Sequence, residues 1–164
     1  MIVTYARVHY KKGIKPMIRT ALVVGALVLG VGAVMAQQDL VKQNQDTMKA
    51  NAKNLGGMIA MVKGEKPYDQ ATVTAALAQL DETAKKLPTM FPDSIKGMNP
   101  GGDYEVSAKI WDDKAGFKAK IDGFAKIVTE AKTKITDLDT LKATAPAIGK
   151  ECGNCHETFR IKKG

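Results

Sequence analysis

Leu141-Lys142-Ala143-Thr144-Ala145-Pro146-Ala147-Ile148-Gly149-Lys150-Glu151-Cys152-Gly153-Asn154-Cys155-His156-Glu157-Thr158-Phe159 reads as one helix carrying a chemical motif. Leu141, Ala145, Ile148, Cys152, Cys155 and Phe159 recur every three or four positions, the spacing of a buried helical stripe. Positions i, i+3 and i+4 share a helix face, so Cys152, Cys155 and His156 reach toward the same space. These are the only cysteines of the chain, and the one other histidine is His9, far upstream. Two thiols with an adjacent imidazole, in the order Cys-x-x-Cys-His, are what c-type haem attachment requires. The thiols become thioethers on the porphyrin, and the imidazole becomes the proximal iron ligand.

Three other readings of the motif fit less well. Structural zinc wants four good ligands, and two thiolates with one imidazole fall short. A thioredoxin-like redox pair belongs in a βαβ setting. A disulfide between i and i+3 within a helix is geometrically awkward.

Upstream of the motif no stretch alternates like a half-buried strand, and three more segments carry helical stripes. The expectation is therefore an all-α protein, an antiparallel four-helix bundle with covalently bound haem c. The first helix is expected from about Gln38 to Val62, with Val41, Gln45, Met48, Ala52, Leu55, Ile59 and Val62 on its stripe and Gly64 after its end; Met58 falls off that stripe. The second is expected from about Asp69 to Leu87, stopped by Pro88. Residues 88–104, with three prolines and interspersed Met90, Phe91, Ile95 and Met98, read as a long loop folded over something. The third helix, about Val106 to Thr136, carries Ile110, Phe117, Ile121, Phe124, Val128, Ala131 and Ile135. The fourth follows a capping Asp137 or Asp139 and runs to about Lys162, with Pro146 kinking it or marking its first turn.

Residues 1–36 read separately. Arg7, Lys11, Lys12, Lys15 and Arg19 precede an unbroken Ala/Leu/Val/Gly run from Ala21 to Val34 that ends in Val34-Met35-Ala36. That is a signal peptide pattern, too short to span a bilayer, with cleavage expected after Ala36 and Met17 as an alternative start. Residues 37–164 then form the cytochrome domain. Export places the protein in the bacterial periplasm, with no stable membrane insertion after cleavage. Taking the five leader cations from 25 Lys and Arg leaves 20 against 17 Asp and Glu, about +3, so the basic balance of the whole chain is no argument for nucleic acid.

Many c-type cytochromes carry the motif near the start of a small fold; here it lies on the last of four helices. That arrangement resembles the cytochrome c-prime family, the class II c-type cytochromes. The residues that carry the resemblance are Leu40-Val41-Lys42 with Gln45 and Met48, Met61-Val62-Lys63-Gly64 before Pro67-Tyr68-Asp69, Ile110-Trp111 with Phe117, and Cys152 through Arg160. The resemblance places Met48 over the distal face of the haem. A thioether there can complete a His/Met haem suited to electron transfer with redox partner proteins; as a mere core residue it would leave a five-coordinate haem open to nitric oxide or carbon monoxide. Met58, Met61, Met90 and Met98 are the fallback ligands.

Asn44 stands where many relatives have an arginine near a haem propionate, so the resemblance implies propionate recognition that is weaker there or comes from elsewhere, such as Lys49 or Lys96. Asn44, Gln45, Phe91 and Arg160 are candidate haem contacts, and Trp111 and Tyr104 could line the haem edge. Lys85-Lys86, Lys162-Lys163 and the lysines of the third helix form either a docking face for an acidic redox partner or a solvated surface. Without a distal acid or base, catalysis is not expected. The resemblance is compatible with a monomer or a homodimer.

Overall fold

The computed structural model describes the backbone of residues 15–98 and 101–163, and side chains from residue 34 onward within those ranges. Most of the leader expected over 1–36 therefore lies outside the described side chains. The chain divides between Ala36 and Gln37, and the core residues all belong to the unit Gln37–Gly164.

Four long helices build that unit into a bundle: the part of α1 (Lys15–Val62) from Gln37 onward, α2 (Gln70–Lys86), α4 (Lys114–Lys134) and α5 (Leu138–Phe159), with a four-residue α3 (Lys109–Asp112) before α4. Helix α1 starts upstream of the expected Gln38, and no proline lies between Met17 and Val62 to interrupt it. Its end is as expected. Gly64, at φ 75°, donates to the Met61 carbonyl while Glu65 donates to that of Ala60, a left-handed glycine closure that satisfies the last carbonyls. The Asp69 carboxylate accepts from the Ala71 and Thr72 amides to start α2, and Asp137 with Thr140 forms a reciprocal capping box for α5.

Four expectations are corrected. The third helix does not begin at Val106: Asp113, at φ −123° and ψ 66°, leaves the helical region, and its carboxylate accepts from the Gly116 amide to cap α4 afresh. The fourth helix ends at Phe159, not Lys162. Beyond it, β2 (Arg160–Lys162) pairs antiparallel with β1 (Tyr104–Val106) in the register Tyr104 to Lys162 and Val106 to Arg160, so a small ribbon exists where no strand was expected. Three-residue strands are too short for alternation to show in a sequence. Pro146 lies inside α5, eight positions past its first residue, and so does not mark the first turn.

The main core joins Met58 and Met61 of α1 to Val73, Leu77, Leu80 and Ala84 of α2, Phe124 and Val128 of α4, and Leu141, Ala145 and Ile148 of α5. Met58 is completely buried, which moves the α1 stripe to Val41, Asn44, Met48, Asn51, Leu55 and Met58; Ala52, on the expected stripe, is exposed. A smaller cluster of Val41, Ile95, Ile110, Trp111 and Phe159 lies beneath the folded loop. Helix α4 packs closely against both α2 and α5. Among the described residues no helix is long and apolar enough to cross a membrane.

Candidate functional site

Between α1, α4 and α5 lies a cavity of about 400 Å³, within the size range of small-molecule and cofactor sites. One wall is α1, which contributes Asn44, Gln45, Met48, Asn51, Ala52 and Leu55. Cys152, Cys155, His156 and Phe159 of α5 form another, flanked by Phe117, Ile121 and Phe124 of α4. Thr83, Leu87 and Phe91 close one side, and Tyr104, Glu105, Val106 and Arg160 of the ribbon another. Ala52, Tyr104 and Arg160 are exposed lining residues and mark its mouth.

The structure thus brings Asn44, Gln45, Met48, Phe91, Cys152, Cys155, His156 and Arg160 to one cavity. Asn44 is buried, and its amide donates to the Met90 carbonyl; Gln45 donates to the Gly101 carbonyl at 3.1 Å. Both amides therefore tie α1 to the loop that roofs the cavity. Phe91 packs edge-on to Phe117, centroids 5.7 Å apart. The Arg160 guanidinium lies over the Tyr104 ring at 4.1 Å, a cation–π contact at the mouth.

Other expectations fail. Trp111 does not line the cavity: it is buried in the smaller cluster and donates its indole N–H to the Phe91 carbonyl at 3.1 Å. Neither Lys49 nor Lys96 reaches the cavity, and Lys96 pairs with Asp112 at 2.9 Å. Lys120, on α4, is the lysine that does line it. Of the fallback methionines, Met58, Met61 and Met90 are in the main core and Met98 packs on the smaller cluster. Among the described residues Met48 is the methionine on the cavity wall.

Sequence reasoning missed Asn51, Thr83, Lys120 and Glu151. Thr83 had a signal, since it falls three positions after Leu80 on the α2 stripe. Asn51 had one too, a single turn beyond Met48.

Burial pushes both the Cys152 and Cys155 thiols up, so they are held as neutral thiols. Burial, and then the charge of Arg160, push His156 down and favour the neutral imidazole, the form that binds a metal. The two cysteines are not bridged to one another. No group of three or more His, Cys, Asp or Glu side chains converges to hold a bare metal ion among the described residues. Two thiols and an imidazole on the wall of a largely apolar cavity therefore fit a flat macrocycle that brings its own metal.

The sequence model of the family described as Cytochrome C′ matches residues 39–160. This chain belongs to the cytochrome c′ family. Its cofactor is accordingly covalently bound haem c with its iron. The chain is 58% identical over 149 residues to cytochrome c-556 of Rhodopseudomonas palustris, covering 90% of this chain and all of that one. The structure of that species' oxidised cytochrome c556 matches with a TM-score of 0.68 at 57% identity, over 77% of this chain and 99% of the other. The same organism's cytochrome c′ matches with a TM-score of 0.69 at 36% identity, over 77% and 98%. A cytochrome c prime variant from Alcaligenes xylosoxidans, solved as a nitric oxide complex, matches with 0.65 at 30% identity, over 77% and 97%.

Proposed function

We propose that this cytochrome is a periplasmic electron carrier, with Cys152 and Cys155 holding the haem, His156 as proximal ligand and Met48 as the sixth. One observation carries the reading: Met48 from α1 and His156 from α5 line the same cavity, and the other described methionines do not. The bound haem supplies a one-electron couple. The chain's part is to hold the imidazole neutral, to present the thioether, and to surround both with Leu55, Phe117, Ile121 and Phe124, a setting that excludes water and favours the reduced state. On the α1 wall stand amides and a thioether instead of an acid or base, which fits a carrier better than an enzyme. The boundary between Ala36 and Gln37 supports removal of 1–36 on export, leaving a domain that meets redox proteins as a monomer or homodimer and has no charge argument for nucleic acid.

The optical spectrum of the holoprotein, reduced minus oxidised and with carbon monoxide added, tests the ligand set. Low-spin His/Met bands that resist carbon monoxide are expected, and Met48→Ala should convert them to a high-spin form that binds it at once. A wild-type ferrous protein that is already high-spin would overturn the reading in favour of a gas-binding cytochrome, the function to which the nitric oxide complex of the Alcaligenes xylosoxidans relative points.

A further inference from the structure

Thr83 is a polar side chain on an otherwise apolar helix stripe, only 1% exposed, yet it lines the cavity. Its hydroxyl lies 3.0 Å from Asn51 Oδ1, and Gln79 Nε2 approaches the same hydroxyl oxygen at 3.5 Å. The Gln79 carbonyl is a second acceptor, at 3.1 Å. A hydroxyl has one proton and two lone pairs. Gln79 Nε2 faces the hydroxyl oxygen, and the hydroxyl proton lies between two acceptors, the Gln79 carbonyl on its own helix and Asn51 Oδ1 across on α1, so Thr83 ties α2 to α1 through the Asn51 oxygen. Asn51 Oδ1 is thereby engaged, and its two amide N–H groups remain.

The other amides of the α1 wall are spent: Asn44 on the Met90 carbonyl and Gln45 on that of Gly101. Among the described residues no buried side-chain nitrogen or oxygen is without a partner, so the Asn51 nitrogen is not sealed in packed protein. Asn51 lines the cavity one turn after Met48, on the same helix face. We infer that Asn51, positioned by Thr83, is a hydrogen-bond donor on the Met48 side of the cavity for a small ligand whose outer atom accepts a hydrogen bond, a diatomic gas or an azide-like anion. Such a ligand enters when the Met48 thioether is not in place. The donor then distinguishes it from a ligand held by apolar contact alone, since a distal donor sets both affinity and bond polarisation.

The inference rests on the family's haem and not on Met48 being a ligand, so the test uses Met48→Ala holoprotein, in which the sixth position is open on either reading. The probes are carbon monoxide on the ferrous form and azide on the ferric form. Adding Asn51→Leu should raise the carbon monoxide stretching frequency in the infrared and weaken azide binding about tenfold, the size of one hydrogen bond to a charged acceptor. Thr83→Val, of nearly equal volume, should move both in the same direction by less. That variant decides the question by itself if the leucine variant does not load haem. An unchanged or lowered frequency in the variant read would overturn the inference, a lowered one by showing that Asn51 presents its oxygen to the cavity.

Discussion

The two core clusters of this cytochrome are built by different means. The larger gathers α1, α2, α4 and α5 through residues at helical spacing, with Met58, Val73, Leu80, Val128, Leu141 and Ile148 completely buried. The smaller is assembled from pieces of no common period: Val41 of α1, Ile95 of the loop, Ile110 and Trp111 of α3, and Phe159 at the end of α5. Phe91 and Phe117 pack against both, and both line the cavity. The periodic cluster supplies the stability of the bundle, and the aperiodic one sets the shape of the cavity's roof and rim.

Leu80→Ala should show the largest effect, because Leu80 is completely buried in the main core. A loss of about 2–5 kcal/mol is expected in urea denaturation of the holoprotein, with the haem spectrum below the transition unchanged. A loss below about 1 kcal/mol would mean that the periodic cluster does not dominate stability.

Trp111→Phe in the smaller cluster should cost less, about 1–3 kcal/mol, chiefly by leaving the Phe91 carbonyl unpaired. Its distinguishing readout is local. The haem bands should shift, because Phe91 lines the cavity, whereas an equal loss of stability with unmoved bands would erase the difference between the clusters.

The smallest effect is that of acid. Asp81, on α2, accepts hydrogen bonds from Lys132 of α4 at 2.7 Å and from Lys85 at 3.0 Å, which hold its carboxyl below the usual range. Backbone and side-chain hydrogen bonds from Thr140 do the same for Asp137. A carboxyl with a lowered folded pKa contributes stability above its unfolded value, near 3.9, that disappears as pH falls through the folded one. Urea midpoints should therefore fall on going from about pH 5 to about pH 3, and the fall should be shallower in Asp81→Asn. An identical fall in the variant would show that the α2–α4 link contributes nothing to acid sensitivity.

The same contrast explains what could be read in the sequence. Helix ends set by local chemistry were legible: the start of α2 at about Asp69, a cap for α5 at Asp137 or Asp139, Gly64 as terminator, Pro88 after α2. The stripe of α2 was legible because Val73, Leu77, Leu80, Ala84 and Leu87 answer to one period. The break at Asp113 was not, since Ile110 and Phe117 stay seven positions apart and so mimic an unbroken helix. The walls of the site came from the motif and the resemblance together. Its polar interior did not, since Asn51 and Thr83 become neighbours only when α1 meets α2, and isolated polar residues in amphipathic helices read as solvated.

The ribbon that joins β1 to β2 pairs Tyr104 with Lys162, fifty-eight positions apart along the chain. Contacts at that separation carry a larger loop-closure cost than the turns joining consecutive helices, so the ribbon should close late in folding. Tyr104, Glu105, Val106 and Arg160, which it brings together, are the cavity's rim. The helical walls should then stand before the doorway narrows, leaving the thiols of Cys152 and Cys155 open to an entering haem for that interval.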